Sequence, residues 1–285
     1  MKINLFLNNY FTQYNKNFMR PKVNFPISLL EKLSNKHFII LRGEPTLYKE
    51  FQEVLTYLNR NDFQYLITTD AENPIQLITY KGPIQYVSFN YDGLLNNSLR
   101  GNRLYLQKNI LKICDFLTSK KSLMRLNYTI SPFNRETFYA DIGILNYIKT
   151  KYPRMKRPYF SIYQQGPYFV QEQFIWTPID VGMIDKLNKA SLLTDRSLRQ
   201  LVAYHDRATY KCIAPENELN ITPDGKVHLC LSYKFNDIIG NLNTQTLQEI
   251  INDSKDERDG CGDCQHKEKC FLANHFKDNI NGQTR

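Results

Sequence analysis

Apolar residues follow two alternating patterns along the chain before residue 205. In residues 48–59 they recur every three or four positions, a spacing that predicts an amphipathic helix. Shorter and nearly continuous apolar runs, such as 37–41, predict buried strands. The strands are predicted at 2–7, 37–41, 64–68, 84–90, 124–130 and 159–163, and the helices between them at 28–34, 48–59, 102–117 and 136–149.

Strands and helices that alternate in this way form parallel β–α–β units with right-handed crossovers. Six strands of this kind close most of a barrel, and such barrels place their sites on the loops after the carboxyl ends of the strands. The pattern therefore predicts an α/β fold, a partial (β/α)6 TIM-like barrel, over residues 1–204.

The pattern changes after residue 205. Two short apolar segments, 219–222 and 227–231, flank a turn at Pro223, Asp224 and Gly225, and a short helix is predicted at 246–251. The tail that follows is charged, contains cysteine and has little apolar content. Because so small a core cannot hold a domain by itself, we expect residues 205–285 to form a small metal-stapled C-terminal domain.

Composition excludes several classes of protein. A hydrophobic fraction of 42% in 285 residues supplies a large core, so the chain is neither disordered nor of low complexity. No apolar run approaches the roughly 20 residues needed to span a bilayer. Asn8 and Asn9 interrupt the start of the chain too early for the core of a signal peptide. We therefore expect a soluble, cytoplasmic protein without a membrane partner.

The chain is basic, with a net charge of +9, and one stretch concentrates that charge. No acidic residue occurs between Ile142 and Gln171, and basic residues mix with aromatic ones around 149–157. Such a mixture suits a phosphate-bearing strand, so a nucleic-acid-binding module is one interpretation. The interpretation that we favour is a solvated helix end that runs into a strand. The cations of the stretch are Lys149, Lys151, Arg154, Lys156 and Arg157.

The six cysteines are unevenly distributed. Cys114 lies in an apolar helical pattern and is expected to be a core residue. The remaining five fall in the last part of the chain, where clustered thiols in a reducing compartment favour metal binding. Five thiolates are enough for one site with four ligands, and such a site can hold either zinc or an iron–sulfur cluster. The candidate ligands are Cys261, Cys264 and Cys270 as the core, with His275, His266, Cys230 or Cys212 as the fourth.

Three features together resemble a known family. Gly43, Glu44 and Pro45 follow the second predicted strand, Asp92 and Gly93 follow the fourth, and the tail has the spacing C-x12-G-x4-C-gap-C-x2-C-x5-C from Cys212 to Cys270. In these motifs the chain resembles radical S-adenosylmethionine (SAM) enzymes with a C-terminal SPASM auxiliary iron–sulfur domain. The resemblance covers residues 3–275 and implies the barrel fold, a C-terminal metal centre and a SAM site at Gly43, Glu44 and Pro45.

The chain departs from this family where the family binds its catalytic cluster. The family holds that cluster with a C-x3-C-x2-C motif in the loop after the first strand, and Phe11, Asn15 and Phe18 stand at the three cysteine positions here. A phenyl ring cannot ligate iron, and a neutral amide is a poor ligand for a soft cluster metal. Asn17 replaces an aromatic residue of the family, and Arg42 replaces the first Gly of its Gly-Gly-Glu-Pro. We therefore expect no reductive cleavage of SAM.

This departure leaves two interpretations of Gly43, Glu44 and Pro45. They form either a residual SAM site or, as we favour, a plain turn between a strand and a helix, in which Gly reverses the backbone and Glu sits near the helix N-terminus. Asp92 and Gly93 are interpreted in the same way, as a loop turn.

The function expected from the sequence is that of a degenerate radical-SAM/SPASM-like protein, and the sequence leaves open whether it is an enzyme. Because the family often modifies ribosomal peptides or proteins, the resemblance implies a peptide or protein partner, with an active homologue or a nucleotide as further candidates. Two alternatives stay open: an active SAM- or iron–sulfur-dependent enzyme with other ligands, and the nucleic-acid-binding module at 149–157.

Overall fold

The fold is built on one nine-stranded sheet, seen in a computed structural model. Its strands are β1 (Lys2–Phe6), β2 (Phe38–Arg42), β3 (Gln64–Thr69), β4 (Tyr86–Asn90), β5 (Leu123–Ile130), β6 (Tyr159–Ile162), β7 (Glu218–Ile221), β8 (Lys226–His228) and β9 (Ile238–Asn241). The structure describes residues 1–8, 23–91, 93, 105–130, 134, 137–162, 181–193, 218–229 and 238–254.

The sheet has the order β6-β5-β4-β3-β2-β1-β7-β8-β9. All pairs from β1 to β6 are parallel, which confirms the six predicted strands and the α/β class. Strand β7 pairs in parallel with the other edge of β1, from Lys2 opposite Glu218 to Leu5 opposite Ile221. The boundary predicted at residue 205 lies outside the described residues and stays a prediction. The segment after it nevertheless extends the same sheet.

The α-helices between and after the strands are α1 (Phe51–Arg60), α2 (Ile75–Ile78), α3 (Tyr105–Ser119), α4 (Phe138–Lys151), α5 (Val181–Lys189) and α6 (Leu247–Asp253). Two short 3₁₀ helices span Ile27–Lys32 and Pro45–Leu47. The helix predicted at 28–34 is thus of the 3₁₀ type, and the other predicted helices are confirmed within a few residues. Helices α2 and α5 were not predicted; α2 is a single turn after Pro74. Within the described ranges, no helix combines the length and apolar character needed to cross a membrane.

The segment after residue 217 begins with the hairpin that the sequence predicts. Gly225 adopts φ +80° in the turn, which glycine tolerates, and Asp224 pairs with Lys226 at 2.7 Å. Strand β9 then pairs antiparallel with β8 and was not predicted. Helix α6 begins with a capping box, since Thr246 and Glu249 each accept a hydrogen bond from the other's backbone N–H.

The sheet has two chemically different faces. Side chains such as Ile3, Leu5 and Leu7 pack into one continuous apolar core with the helices. Cys114 of α3 belongs to this core and is fully buried, which confirms its predicted role. The alternate residues of the same strands point to the opposite side, which we call the inner face. Its polar members are Asn4, Asn8, Arg42, Thr68, Ser88, Asn90, Arg125, Asn127, Glu218 and Asn220.

Candidate functional site

The loop after β2 is clamped to the end of β1 by a pair of reciprocal hydrogen bonds. Asn8 Nδ2 donates to the backbone carbonyl of Glu44 at 2.8 Å, and the Glu44 backbone N–H donates to Asn8 Oδ1 at 3.0 Å. Gly43, the residue before Glu44, adopts φ +78°. A Cβ at Gly43 would come within 2.5 Å of the Asn8 backbone oxygen. Glycine is therefore required here by both backbone conformation and space.

The carboxylate of Glu44 is fully buried and surrounded by donors of the protein itself. Oε1 accepts from the backbone N–H of Thr46 at 3.3 Å and from the hydroxyls of Thr46 and Thr69, and Oε2 accepts from the Asp70 N–H at 2.6 Å. Glu44 is thereby the N-cap of the 3₁₀ helix Pro45–Leu47. This is the capping role expected of a turn between a strand and a helix.

Burial raises the pKa of Glu44 to about 7, with the nearby Asp70 carboxylate as the second cause. The hydrogen bonds from Thr46, Thr69 and Asp70 act in the opposite direction and lower it. Burial prevails because a charged carboxylate loses its hydration in the interior, and each bond only partly replaces it.

One chain of hydrogen bonds crosses the inner face from β3 to β5. Asn90 Nδ2 donates to Asp70 Oδ1 at 2.8 Å, and Asn127 Nδ2 donates to Asn90 Oδ1 at 3.2 Å. Ser88 Oγ donates to Asn127 Oδ1 at 2.8 Å, and Arg125 Nε donates to Ser88 Oγ at 3.3 Å. Each step joins residues of adjacent strands, so the network connects the loop around Glu44 with the middle of the sheet.

A second network crosses β2, β1 and β7. Arg42 Nε donates to Asn4 Oδ1 at 3.0 Å, and Asn4 Nδ2 donates to Asn220 Oδ1 at 2.8 Å and to the Glu218 carboxylate. Asn4 thus links the residue that ends β2 to the strand contributed by the C-terminal part of the chain.

The structure brings some predicted site residues together and leaves others outside its described ranges. Gly43, Glu44 and Pro45 form one turn at the carboxyl end of β2. Gly93 has φ +93°, and a Cβ there would meet the buried carboxylate of Asp141. Asp92 lies outside the described ranges, so the loop turn at Asp92 and Gly93 stays a prediction. The residues predicted to bind metal lie outside the described ranges: Cys212, Cys230, Cys261, Cys264, Cys270 and His275. Within those ranges, no group of three or more metal-binding side chains occurs.

The cations of the basic stretch at 149–157 are mostly exposed, and several of them bind backbone carbonyls of the same chain. Lys149 Nζ donates to the Ser191 carbonyl at 3.3 Å, Arg157 Nη1 donates to the Leu193 carbonyl at 2.9 Å, and Arg154 donates to the Lys121 carbonyl. Lys151 lies over the ring of Tyr152 at 5.2 Å. These contacts agree with the favoured interpretation, in which the stretch is a helix end that runs into a strand.

The sequence interpretation overlooked the inner-face residues Asn4, Asn8, Arg125 and Asn127. The signal that could have found them is polar residues at alternate positions of otherwise apolar strands, as in Leu123–Ile130. In a strand covered by helices on one side only, such positions line the opposite face.

Comparisons with known proteins support the predicted resemblance. Residues 212–271 match the model of SPASM, an iron–sulfur cluster-binding domain, and this range includes all five C-terminal cysteines but not His275. Comparison with curated proteins gives no match.

Solved structures share the fold at low sequence identity. SuiB of Streptococcus suis bound to SAM has a TM-score of 0.67 at 16% identity, covering 98% of this chain and 76% of that chain. SuiB bound to its precursor peptide SuiA has a TM-score of 0.64 at 15% identity, covering 88% of this chain but only 64% of that chain. The protein anSMEcpe with bound AdoMet and Cp18Cys peptide has a TM-score of 0.63 at 11% identity, covering 95% and 88%. The α/β fold and the resemblance to radical SAM/SPASM enzymes are thereby confirmed.

Gly43→Ala should destabilise the protein, because alanine is strained at φ +78° and its Cβ would meet Asn8. We expect a loss of more than about 1 kcal/mol in the free energy of unfolding, measured by urea denaturation. Gly143→Ala is the matched control, since a Cβ there meets nothing within 4 Å and alanine favours a helix. Equal stability of the two variants would contradict the assigned constraint.

Glu44 should make stability depend on pH. Its pKa is about 7 in the fold against an ordinary 4.5, so the folded state retains a proton that the unfolded state has released between these values. The free energy of unfolding therefore falls as pH rises from about 4.5 to about 7. Glu44→Gln removes this titration, and its stability relative to wild type should rise over that range in urea unfolding at a series of pH values. Glu53→Gln, at an exposed position of α1, controls for net charge, and a Glu44→Gln curve parallel to wild type would contradict the prediction.

Proposed function

We propose that this chain is a degenerate radical-SAM/SPASM-like protein, which does not cleave SAM reductively and binds a peptide or protein partner. The observation that carries the proposal is that the sequence has no cysteine before Cys114. Reductive cleavage in the resembled family needs three thiolates in the loop after the first strand. Phe11, Asn15 and Phe18 stand at those positions and supply no thiolate.

Cys114 cannot take over this role. Its thiol is fully buried in the core on the helix side of the sheet, and burial raises its pKa to about 12. A thiol with so high a pKa is not a thiolate at neutral pH, and the thiolate is the form that ligates a metal.

Two features of the turn at Gly43–Pro45 also weigh against SAM binding. The backbone N–H and carbonyl of Glu44 are both bonded to Asn8, and its carboxylate accepts from Thr46, Thr69 and Asp70. The second feature is Arg42, which places a cation on the inner face beside this turn. SAM carries a sulfonium and an ammonium charge against one carboxylate, so its net charge is positive and the Arg42 cation disfavours its binding there.

The C-terminal domain, proposed to span 205–285, binds one structural metal centre. The SPASM match favours an iron–sulfur cluster over zinc. Five thiols fit one four-ligand centre and fall short of two. Cys261, Cys264 and Cys270 would hold it, with Cys212, Cys230 or His275 completing the set. A bound centre cross-links a tail that has too few apolar residues to fold around a core.

The peptide partner is supported by the solved complexes. SuiB has been crystallised with the precursor peptide SuiA, and anSMEcpe with the Cp18Cys peptide. The net charge of +9 favours an acidic partner and speeds its association. A catalytically active homologue of this chain, also in the cytoplasm, is the second candidate for a protein partner.

The inactivity proposal predicts the result of a cleavage assay. Purified protein, reconstituted anaerobically with iron and sulfide and then given SAM and dithionite, should form no 5′-deoxyadenosine above a blank without protein, as measured by liquid chromatography with mass spectrometry. An active radical SAM enzyme reconstituted in parallel controls for the procedure. Formation of 5′-deoxyadenosine in proportion to protein concentration would instead support the alternative of an active enzyme with other ligands.

The metal proposal predicts that metal content follows the tail cysteines. Elemental analysis of anaerobically purified protein should show iron, in an amount that fits one centre per chain, and Cys261→Ala with Cys264→Ala should reduce it to background. Cys114→Ala is the matched control, because that thiol lies in the apolar core, and it should leave the content unchanged. Zinc in place of iron would show that the centre is a zinc site. An unchanged metal content in the double variant would refute the proposed site.

A further inference from the structure

Three loops at the amino end of the sheet form one surface. Residues 79–85, 120–122 and 152–158 precede β4, β5 and β6, which are parallel neighbours. Adjacent strands lie about 4.8 Å apart, so the three loops reach the sheet within about 10 Å of one another. The first residues of β5 donate backbone hydrogen bonds to both neighbouring loops, to the carbonyls of Gln85 and Arg154 at 3.0 and 3.2 Å. We call the exposed side of these loops the amino-end surface.

The amino-end surface carries positive charge, and its three loops contain no acidic residue. Its cations are Lys81, Lys120, Lys121, Arg154, Lys156 and Arg157, all exposed except Lys120, which is half-buried. None of these cations forms an ion pair within the described part of the chain. The neighbouring carboxylates are Asp62, in the loop before β3, and Asp115 on α3, which accepts a hydrogen bond from the Tyr152 hydroxyl at 2.8 Å. Arg60 and Lys151 add further positive charge at the ends of α1 and α4.

Two of the cations tie the three loops together through backbone carbonyls. Lys120 Nζ donates to the Lys81 carbonyl at 3.0 Å, and Arg154 Nη1 donates to the Lys121 carbonyl. A carbonyl orients a charged side chain without cancelling its charge. The surface therefore keeps its positive potential, and these side chains lose less entropy when an anion binds.

A groove of about 420 Å³ opens beside the amino-end surface, between α1 and the first of the three loops. Arg60 and Lys81 line it, and no acidic residue does. Its wall is formed in advance, since Asn59 Nδ2 donates to the Tyr80 hydroxyl at 3.0 Å and to the Pro83 carbonyl at 2.9 Å. A segment that crosses the amino-end surface can therefore place a side chain in this groove.

The surface suits an acidic polypeptide better than a nucleic-acid strand with stacked bases. Tyr152 and Phe160, which accompany the cations in the sequence, are only 3% and 1% exposed. The ring of Tyr159 is covered by Arg125, which lies 5.2 Å from its centroid. These rings cannot stack on bases, and binding of single strands depends on such stacking. Asp and Glu side chains need only the charges and donors that Lys and Arg supply.

We propose that the amino-end surface binds an acidic segment of the protein partner, a stretch of chain rich in Asp and Glu. That the surface binds a polyanion rests on its cations; that the polyanion is a polypeptide rests on the function proposed above. A strand of five residues such as β4 spans about 16 Å, so the surface lies at the opposite end of the sheet from the turn at Gly43–Pro45. The partner is thus recognised without entering the inner face.

The test measures fluorescence anisotropy of a labelled peptide of alternating Glu and Gly, compared with the same peptide carrying Gln for Glu, in about 0.15 M salt. The full-length protein should bind only the acidic peptide. Lys81→Glu with Lys156→Glu reverses charges in two loops, at side chains without hydrogen bonds among the described residues, and should weaken binding about tenfold. Lys108→Glu with Lys112→Glu, at exposed positions of α3, changes the net charge equally and should keep the affinity within about twofold.

Folding of the variants is checked by circular dichroism. If the first double variant does not fold, Lys81→Gln with Lys156→Gln replaces it, with an expected loss of about threefold. Equal affinities of the two double variants would overturn the docking surface and leave the proposed peptide partner standing.

Two further probes separate this inference from the proposed function. Wild type is titrated with a single-stranded oligonucleotide and with vesicles that contain phosphatidylserine. If either binds more tightly than the acidic peptide, and Lys81→Glu with Lys156→Glu loses that binding, the acidic segment is refuted and the proposed polypeptide partner with it. Absence of binding to all three probes would overturn the amino-end surface as a site for any polyanion.

Discussion

The parallel pairing of β1 with strands on both of its edges is the constraint on which the rest of the structure depends. Strand β1 pairs with β2 on one edge and with β7 on the other. It therefore joins strands β2–β6 to the three strands β7–β9 from the C-terminal part of the chain. Ile3 and Leu5 fill the helix-side core, and Asn4 links Arg42 to Asn220 on the inner face. A shift of β1 by one residue along its neighbours would exchange the side chains of the two faces. The register of β1 therefore determines both the apolar core and the hydrogen-bond network of the inner face.

The loops at the carboxyl end of the sheet are held by buried polar contacts of this chain alone. Asn8 binds both backbone groups of Glu44, and the Glu44 carboxylate is satisfied by Thr46, Thr69 and Asp70. Satisfied polar groups in a low-dielectric interior make a rigid arrangement, whereas an unpaired one would be costly. The turn at Gly43–Pro45 therefore keeps its shape through contacts within the chain itself.

The stability of the fold and the polar chemistry of its inner face lie on opposite sides of the sheet. The apolar core between sheet and helices supplies the stability, and it lies on the side of the sheet opposite the inner face. Substitution of an inner-face residue therefore leaves the apolar core intact, and it costs stability where it breaks a buried hydrogen bond, as at Asn4.

Local patterns along the sequence were enough to predict most of the elements and the α/β class. Apolar periodicity located β1–β6 and the helices α1, α3, α4 and α6, because burial of one face imposes a spacing that can be read along the chain. Cysteine spacing identified the SPASM-like tail, since ligand geometry restricts the intervals between thiols. Helix α2 was missed because a single turn is too short to show a period.

Which polar residues meet depends on how the strands pair across the whole chain. Asn8 and Glu44 are far apart in sequence, as are Asn4 and Asn220, and no local pattern indicates that they bond. The parallel register of the sheet brings them together. Contacts of this kind depend on long-range strand pairing, whereas periodicity reports only which side of its own element a residue occupies.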